Sequence, residues 1–89
     1  MPAQNITIIN RLGLHARAAA KFVQTAGRFE AAISLTREDQ TVNGKSIMGV
    51  MMLAAAQGAE LEIVTEGDDA EAAMDALVAL INDRFGEPT

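Results

Sequence analysis

The sequence predicts an α+β fold in which three helices cover one face of a four-stranded antiparallel sheet. Segments that are rich in β-branched residues or that alternate in polarity occur between segments of helical periodicity, in the order βαββαβα. The 89 residues leave room only for short connections and one core. We therefore expect residues 1–89 to form a single domain that is related to the split βαβ class.

Four segments have the composition of strands. Their β-branched runs or alternating polarity fit a sheet with one buried face. The predicted strands are Ile6-Thr7-Ile8-Ile9, the alternating residues 31–36, a short strand around Thr41-Val42, and Leu61-Glu62-Ile63-Val64-Thr65.

Three segments repeat apolar residues at helical spacing. The first follows the i, i+3, i+4, i+7 pattern and reaches a natural stop at Gly27. The predicted helices are Ala16 to Ala26, Ile47 to Leu53 after an N-cap at Ser46, and a last helix over residues 70–81 that Asp68 or Asp69 caps.

The composition disfavours several classes of site. The chain has no cysteine and one histidine, which argues against disulfides, thiolate metal sites and histidine-based zinc sites. The pI of 4.6 and the lack of a stacking platform argue against nucleic acid. No leader peptide is visible, and no apolar run reaches the ~20 residues that span a bilayer. We therefore expect a cytoplasmic protein with no metal, no organic cofactor, no nucleic-acid partner and no membrane insertion.

The net charge of −5 is unevenly distributed along the chain. Residues 1–45 carry six basic and three acidic side chains, whereas residues 46–89 carry one basic and nine acidic side chains. The basic half should attract phosphate or acidic partners.

His15 lies where the β-patterned segment gives way to a helical one, in Gly13-Leu14-His15-Ala16-Arg17. The first N–H groups of a helix lack partners within the helix, and the summed peptide dipoles favour an anion there. Arg17 opposes that dipole, so its position costs free energy unless an anion arrives to offset it. An imidazole in this setting is equipped to take up a phosphoryl group and to release it.

Ser46 and the apolar residues after it allow two interpretations. Serine is a preferred N-cap worth ~1 kcal/mol, and no other role is needed to explain it. The apolar residues that follow lie on adjacent stripes of a short helix and cannot all face the core: Ile47, Met48, Met51 and Met52. Because exposed methionine surfaces often dock several partners, these residues are also candidates for partner binding.

Two motifs at this separation carry a family resemblance. They are Gly13-Leu14-His15-Ala16-Arg17-Ala18-Ala19 and Asn43-Gly44-Lys45-Ser46-Ile47-Met48-Gly49-Val50-Met51-Met52-Leu53. With the order of elements, they resemble the histidine-containing phosphocarrier protein, HPr, of the bacterial phosphoenolpyruvate-dependent sugar phosphotransferase system. The resemblance covers essentially the whole chain, and it implies the open-faced sandwich fold of that family.

The resemblance also implies functional roles. His15 would accept a phosphoryl group at Nδ1 from phosphorylated enzyme I and pass it to the enzyme IIA component of a sugar permease. The chain would then be a carrier and not an enzyme. The N–H groups of Ala16 and Arg17 and the Arg17 guanidinium would hold the phosphate. Ser46 matches the regulatory site that the HPr kinase/phosphorylase modifies.

The same resemblance extends the predicted docking face. A phosphate on Ser46 would add about −1.5 to −2 charge beside Ile47, Met48 and Met51 and would weaken docking to an acidic partner. We expect the face to continue along the first helix through Ala20, Lys21 and Gln24. An exposed docking face favours a monomer that forms transient complexes.

Two other functions stay open at this point. The segment Asn10-Arg11-Leu12-Gly13 is also similar to the nitrogen-related branch of phosphocarriers, which serve regulation, although Lys45-Ser46-Ile47-Met48-Gly49 favours an HPr that is regulated at Ser46. Alternatively, the chain is a protein-binding regulator that Ser46 controls, and His15 chemistry is not obligatory.

Overall fold

The computed structural model describes residues 2–89 as four strands, three α-helices and one 3-10 turn. In chain order they are β1 (Ala3–Thr7), α1 (Ala16–Ala26), β2 (Ala32–Arg37), β3 (Gln40–Asn43), α2 (Ile47–Met52), β4 (Glu60–Glu66), α3 (Ala70–Asn82) and the turn Arg84–Gly86. All strand pairs are antiparallel, in the order β1-β4-β2-β3. The predicted fold class and element order are therefore confirmed.

The hydrophobic core lies between one face of the sheet and the helices. On β2 and β4, buried Leu35 and Ile63 alternate with more exposed polar residues such as Glu62, as expected for a sheet with one covered face. The largest core side chains from the helical layer are Phe22, Leu77, Ile81 and Val50. Within residues 2–89, no helix is long and apolar enough to cross a membrane.

The first strand differs from its predicted position over residues 6–9. It spans Ala3–Thr7, because the backbone of these residues pairs with β4 from Val64 to Glu60. Ile8 is fully buried but lies beyond the regular pairing of β1 with β4, and its N–H donates to the carbonyl of Ala59 at 2.9 Å. Ile9 is exposed. Strand pairing, and not β-branched composition, sets the bounds of this element.

The helices lie close to their predicted bounds, with one correction at α3. Asp69, and not Asp68, occupies the N-cap position, but its side chain makes no capping hydrogen bond. Its carboxylate instead accepts from the backbone N–H groups of Glu30 and Ala31, at 2.9 and 2.8 Å. The bond from Glu30 is the main cause that lowers the pKa of Asp69 below its ordinary value, against an opposing effect of burial. The carboxylate therefore fixes the start of β2 to the start of α3.

The chain end forms a turn that the sequence did not predict. Arg84 and Phe85 have positive φ angles of 57° and 55°, which lead the chain back toward α1. The Phe85 side chain is fully buried, and its carbonyl accepts a hydrogen bond from Lys21 Nζ at 2.7 Å. The C-terminal residues are thereby held against the first helix.

Gly13 brings the loop before α1 close to the loop after α2. Its φ is +69°, and a Cβ built on it would lie 2.5 Å from the carbonyl oxygen of Ala55. The adjacent Leu14 N–H donates to that same oxygen at 2.8 Å. Only glycine fits both the backbone angle and the close approach, so this residue sets where α1 begins.

We expect Gly13→Ala to destabilise the fold more than Gly58→Ala, which is a matched control. Gly58 also has a positive φ, of +90°, but a Cβ there would meet no atom within 4 Å. The control should lose about 1–2 kcal/mol from its backbone angle alone. Gly13→Ala should lose roughly 1–3 kcal/mol more from the clash. Urea unfolding measures both values, and equal losses would show that the contact with Ala55 imposes no constraint.

Candidate functional site

His15 is the N-cap of α1, which confirms its predicted position at a helix N-terminus. Its backbone is extended, with φ −71° and ψ 177°, and its carbonyl accepts the first helical bond from Ala19 at 2.8 Å. The ring Nδ1 accepts a hydrogen bond from the backbone N–H of Arg17 at 3.3 Å. The side chain keeps 28% of its surface exposed. The Nδ1 side of the ring therefore faces the start of the helix while the ring stays open to a partner.

The opposite ring nitrogen, Nε2, contacts the side chain of Glu87. One carboxylate oxygen, Oε2, meets Nε2, and the other, Oε1, accepts a hydrogen bond from Asn10 Nδ2 at 3.0 Å. Asn10 is fully buried, and its Nδ2 also donates to the carbonyl of Gly13 at 2.8 Å. Asn10 thus links the carboxylate to the loop that carries His15.

The hydrogen-bond network favours one tautomer of the ring. An ionised carboxylate can only accept, so Nε2 must carry the proton that lies between His15 and Glu87. A backbone N–H can only donate, so Nδ1 must present a lone pair to Arg17. We infer from these partners a neutral ring with hydrogen on Nε2 and a nucleophilic lone pair on Nδ1.

Hydrogen bonds, chiefly from Asn10, and a nearby positive charge keep the carboxylate of Glu87 ionised. Burial raises the pKa of Glu87, but the hydrogen bonds from Asn10 and His15, together with the charge of Lys21, lower it below its ordinary value. The side chain of Glu87 is only 13% exposed. A mostly buried carboxylate anion therefore lies on the Nε2 side of the ring.

Arg17 lies in the first turn of α1, where no acidic residue is present. Its side chain is exposed, and no salt bridge to it forms within residues 2–89. A cation at the positive end of a helix dipole is unfavourable by about 0.3–1 kcal/mol. The position leaves a positive charge uncompensated two residues from His15.

Ser46 is the N-cap of α2, as predicted. Its Oγ accepts from the N–H of Gly49 at 3.1 Å, and the residue is half-buried. A Cβ on Gly49 would lie 3.3 Å from Val42 Cβ, so a larger residue here would press against β3. Ser46 is partly exposed while its hydroxyl caps the helix.

The prediction that α2 exposes apolar side chains is confirmed. We call the four residues Ile47, Met48, Met51 and Met52 the α2 apolar surface; their exposed fractions are 41, 69, 41 and 65%. Helix α2 packs beside α1. On α1, Gln24 is exposed, whereas Ala20 and Lys21 are half-buried and Lys21 Nζ binds the chain end.

The comparisons with known proteins agree with this geometry. The family described as PTS HPr component, phosphorylation site, matches residues 2–83. The chain belongs to the HPr family. The HPr phosphocarrier of Neisseria meningitidis is 58% identical to it over 87 residues, which cover 98% of each chain.

Solved HPr structures share the fold along the whole chain. HPr-C-His from Thermoanaerobacter tengcongensis superposes with a TM-score of 0.97 at 48% identity, covering 100% of both chains. An HPr dimer from the same organism has a TM-score of 0.79 at 49% identity and covers 98% of this chain and 100% of its own. Membership of the HPr family gives this chain a phosphocarrier role in the phosphotransferase system.

Sequence reasoning missed Glu87 and Asn10, which the fold brings to His15. Glu87 is 72 residues from His15 in sequence and lies beyond the segment 2–83 that the family matches. An acidic residue between Gly86 and Pro88 resembles any solvated chain end. Asn10 resembles an ordinary turn residue. No local pattern identifies either residue, because the contacts depend on the buried Phe85 turn.

The lowered pKa of Glu87 predicts a pH-dependent contribution to stability. A carboxyl group whose pKa falls on folding stabilises the native state above its unfolded value of 4.5, and this contribution is lost as the pH falls through the folded pKa. The stability advantage of the native chain over Glu87→Gln should therefore be largest near neutral pH and should shrink below 4.5. Urea unfolding at about pH 7, 5 and 3 measures this difference. A constant difference would mean that the carboxylate has no favourable partner.

Proposed function

We propose that this chain is a phosphoryl carrier that accepts phosphate on His15 Nδ1 from phosphorylated enzyme I and passes it to an enzyme IIA component. It acts as one domain, and it carries the group without turning over a substrate of its own. The observation that carries the proposal is the position of His15, whose Nδ1 faces a helix N-terminus and whose ring is partly exposed. Family membership supports the carrier role.

The ring needs no separate general base for this chemistry. A neutral imidazole attacks phosphorus directly through its Nδ1 lone pair. The incoming phosphoryl group displaces the weak bond from the Arg17 N–H, and its oxygens then accept from the N–H groups of Ala16 and Arg17. The uncompensated Arg17 guanidinium supplies a charge-assisted contact. Phosphoryl transfer depends mainly on alignment and charge stabilisation, so the partner proteins supply the in-line geometry.

The α2 apolar surface and the nearby part of α1 form the proposed docking face. Methionine side chains adapt to differently shaped partners, which suits a carrier that meets a donor and several acceptors. The basic half of the chain favours acidic partner surfaces. Such complexes are transient, and we propose a cytoplasmic monomer that forms them in turn.

Ser46 is the proposed regulatory site. Its hydroxyl caps α2 next to Ile47, at the edge of the docking face. A phosphate there, added by an HPr kinase/phosphorylase, is tolerated at a helix N-terminus but repels an acidic partner. The fold is preserved while docking weakens.

The test of the carrier role is phosphorylation of the native chain and of His15→Ala by enzyme I and phosphoenolpyruvate. The native chain should gain an acid-labile, base-stable phosphate, and His15→Ala should gain none. Glu66→Gln changes an exposed strand residue and is the control variant, which should be phosphorylated like the native chain. An unphosphorylated native chain, or a His15→Ala variant that keeps full cellular activity, would favour the Ser46-controlled binding regulator instead.

Ser46→Asp and Ser46→Asn form a matched pair for the regulatory site. Both residues are good N-caps, so both variants should keep the native stability within about 0.5 kcal/mol. Only aspartate adds charge, and it should weaken binding to enzyme I roughly fivefold, or about 1 kcal/mol. Calorimetric titration measures the affinities. Equal affinities for the two variants would remove charge as the basis of regulation.

A further inference from the structure

We propose that Glu87 is a positioning residue for phosphoryl exchange at His15. Its carboxylate holds hydrogen on Nε2, directs the lone pair to Nδ1, and balances the positive charge that the ring gains when Nδ1 bonds to phosphorus. This inference rests on the proposed carrier function, and it assigns a role to a residue outside the family-matched segment 2–83.

The contact between Glu87 and His15 is fixed by hydrogen bonds to both oxygens of the Glu87 carboxylate. Glu87 Oε2 contacts His15 Nε2, and Glu87 Oε1 accepts from Asn10 Nδ2 at 3.0 Å. Asn10 is fully buried and fixed to the Gly13 carbonyl by a second hydrogen bond of 2.8 Å. The carboxylate therefore has one oxygen held by the loop before α1 and one that remains for the ring.

The C-terminal segment is fastened so that it presents this carboxylate. Phe85 is buried, and Lys21 Nζ donates to its carbonyl at 2.7 Å. Arg84 Nε donates to the Glu87 carbonyl at 3.3 Å, and the Arg11 N–H donates to the Thr89 carbonyl at 3.1 Å. Contacts on both sides of Glu87 thus hold its backbone beside the site.

The charges that face Glu87 are favourable to an anion. Lys21 brings a positive charge from α1, and His15 and Asn10 approach from the N-cap and the preceding loop as hydrogen-bond donors. The Arg84 side chain lies on its own segment. No acidic side chain contributes to the contacts of Glu87 within residues 2–89. The carboxylate is therefore available to compensate positive charge on the ring.

The proposed step balances without an added acid or base. The Nδ1 lone pair forms the bond to phosphorus, and the bond from phosphorus to the phosphorylated donor breaks, with its electron pair leaving on the donor. The ring then carries the phosphoryl group on Nδ1 and hydrogen on Nε2, so it is positively charged. Because the proton stays between Nε2 and Glu87, the carboxylate stabilises this charge as it forms, in the way that a buried aspartate stabilises the imidazolium of a catalytic triad.

The first test is the tautomer of the unphosphorylated ring, which needs no partner protein. Long-range ¹H–¹⁵N NMR on neutral, ¹⁵N-labelled His15 distinguishes the Nε2–H form from the Nδ1–H form. The native chain should populate mainly Nε2–H, and so should Glu66→Gln, the charge-matched control. Glu87→Gln should shift toward Nδ1–H, because its amide can donate to Nε2. The same tautomer ratio in the native chain and in Glu87→Gln would overturn the proposal.

The second test is the rate at which phosphorylated enzyme I transfers its phosphoryl group to each variant. For Glu87→Gln and Glu87→Ala, kcat should fall roughly tenfold with KM little changed, since the carboxylate acts on the ring and not on docking. Glu87→Asp should recover part of the rate if its shorter chain still reaches the ring. A change in KM alone, or an unchanged rate despite a shifted tautomer, would overturn the positioning role. If the native chain accepts no phosphate, the carrier function fails, and the tautomer measurement still decides whether Glu87 positions the ring.

Discussion

The ring of His15 is held at both of its nitrogens, and this double constraint organises the rest of the candidate site. The start of α1 donates to Nδ1 through the Arg17 N–H, and the chain end brings a carboxylate to Nε2 through Glu87. The backbone N–H requires Nδ1 to accept, and the carboxylate requires Nε2 to donate. The Gly13 turn places the ring, because its backbone approaches Ala55 too closely for any side chain.

This arrangement divides the requirements of phosphoryl transfer between the chain and its partners. We propose that the chain supplies a nucleophile, an anion site and a docking face, while its partners supply the alignment that phosphoryl transfer requires. The α2 apolar surface is exposed, whereas the His15 ring is held by hydrogen bonds. Ser46 is the N-cap of α2, and we propose that a change of charge there alters docking without disturbing the core.

Local patterns were sufficient for α1, for the Ser46 cap and for the exposed methionines, because periodicity and capping act over one or two turns. They were insufficient for β1, whose bounds depend on pairing with β4, and for Asp69, whose carboxylate binds the distant Glu30 and Ala31. The contact of Glu87 with His15 closes a separation of 72 residues. It depends on a turn in which Phe85 adopts a positive φ, a conformation that composition does not reveal.

The proposed role of His15 is tested most directly by determining which ring nitrogen carries the phosphate. The chain, labelled with ¹⁵N at His15 and phosphorylated by enzyme I, can be studied by ³¹P and ¹⁵N NMR, in which the coupling between the nuclei identifies the bonded atom. We expect phosphorus on Nδ1, on the side of the ring that faces the first turn of α1. Phosphorus on Nε2, in the place that Glu87 occupies, would contradict it.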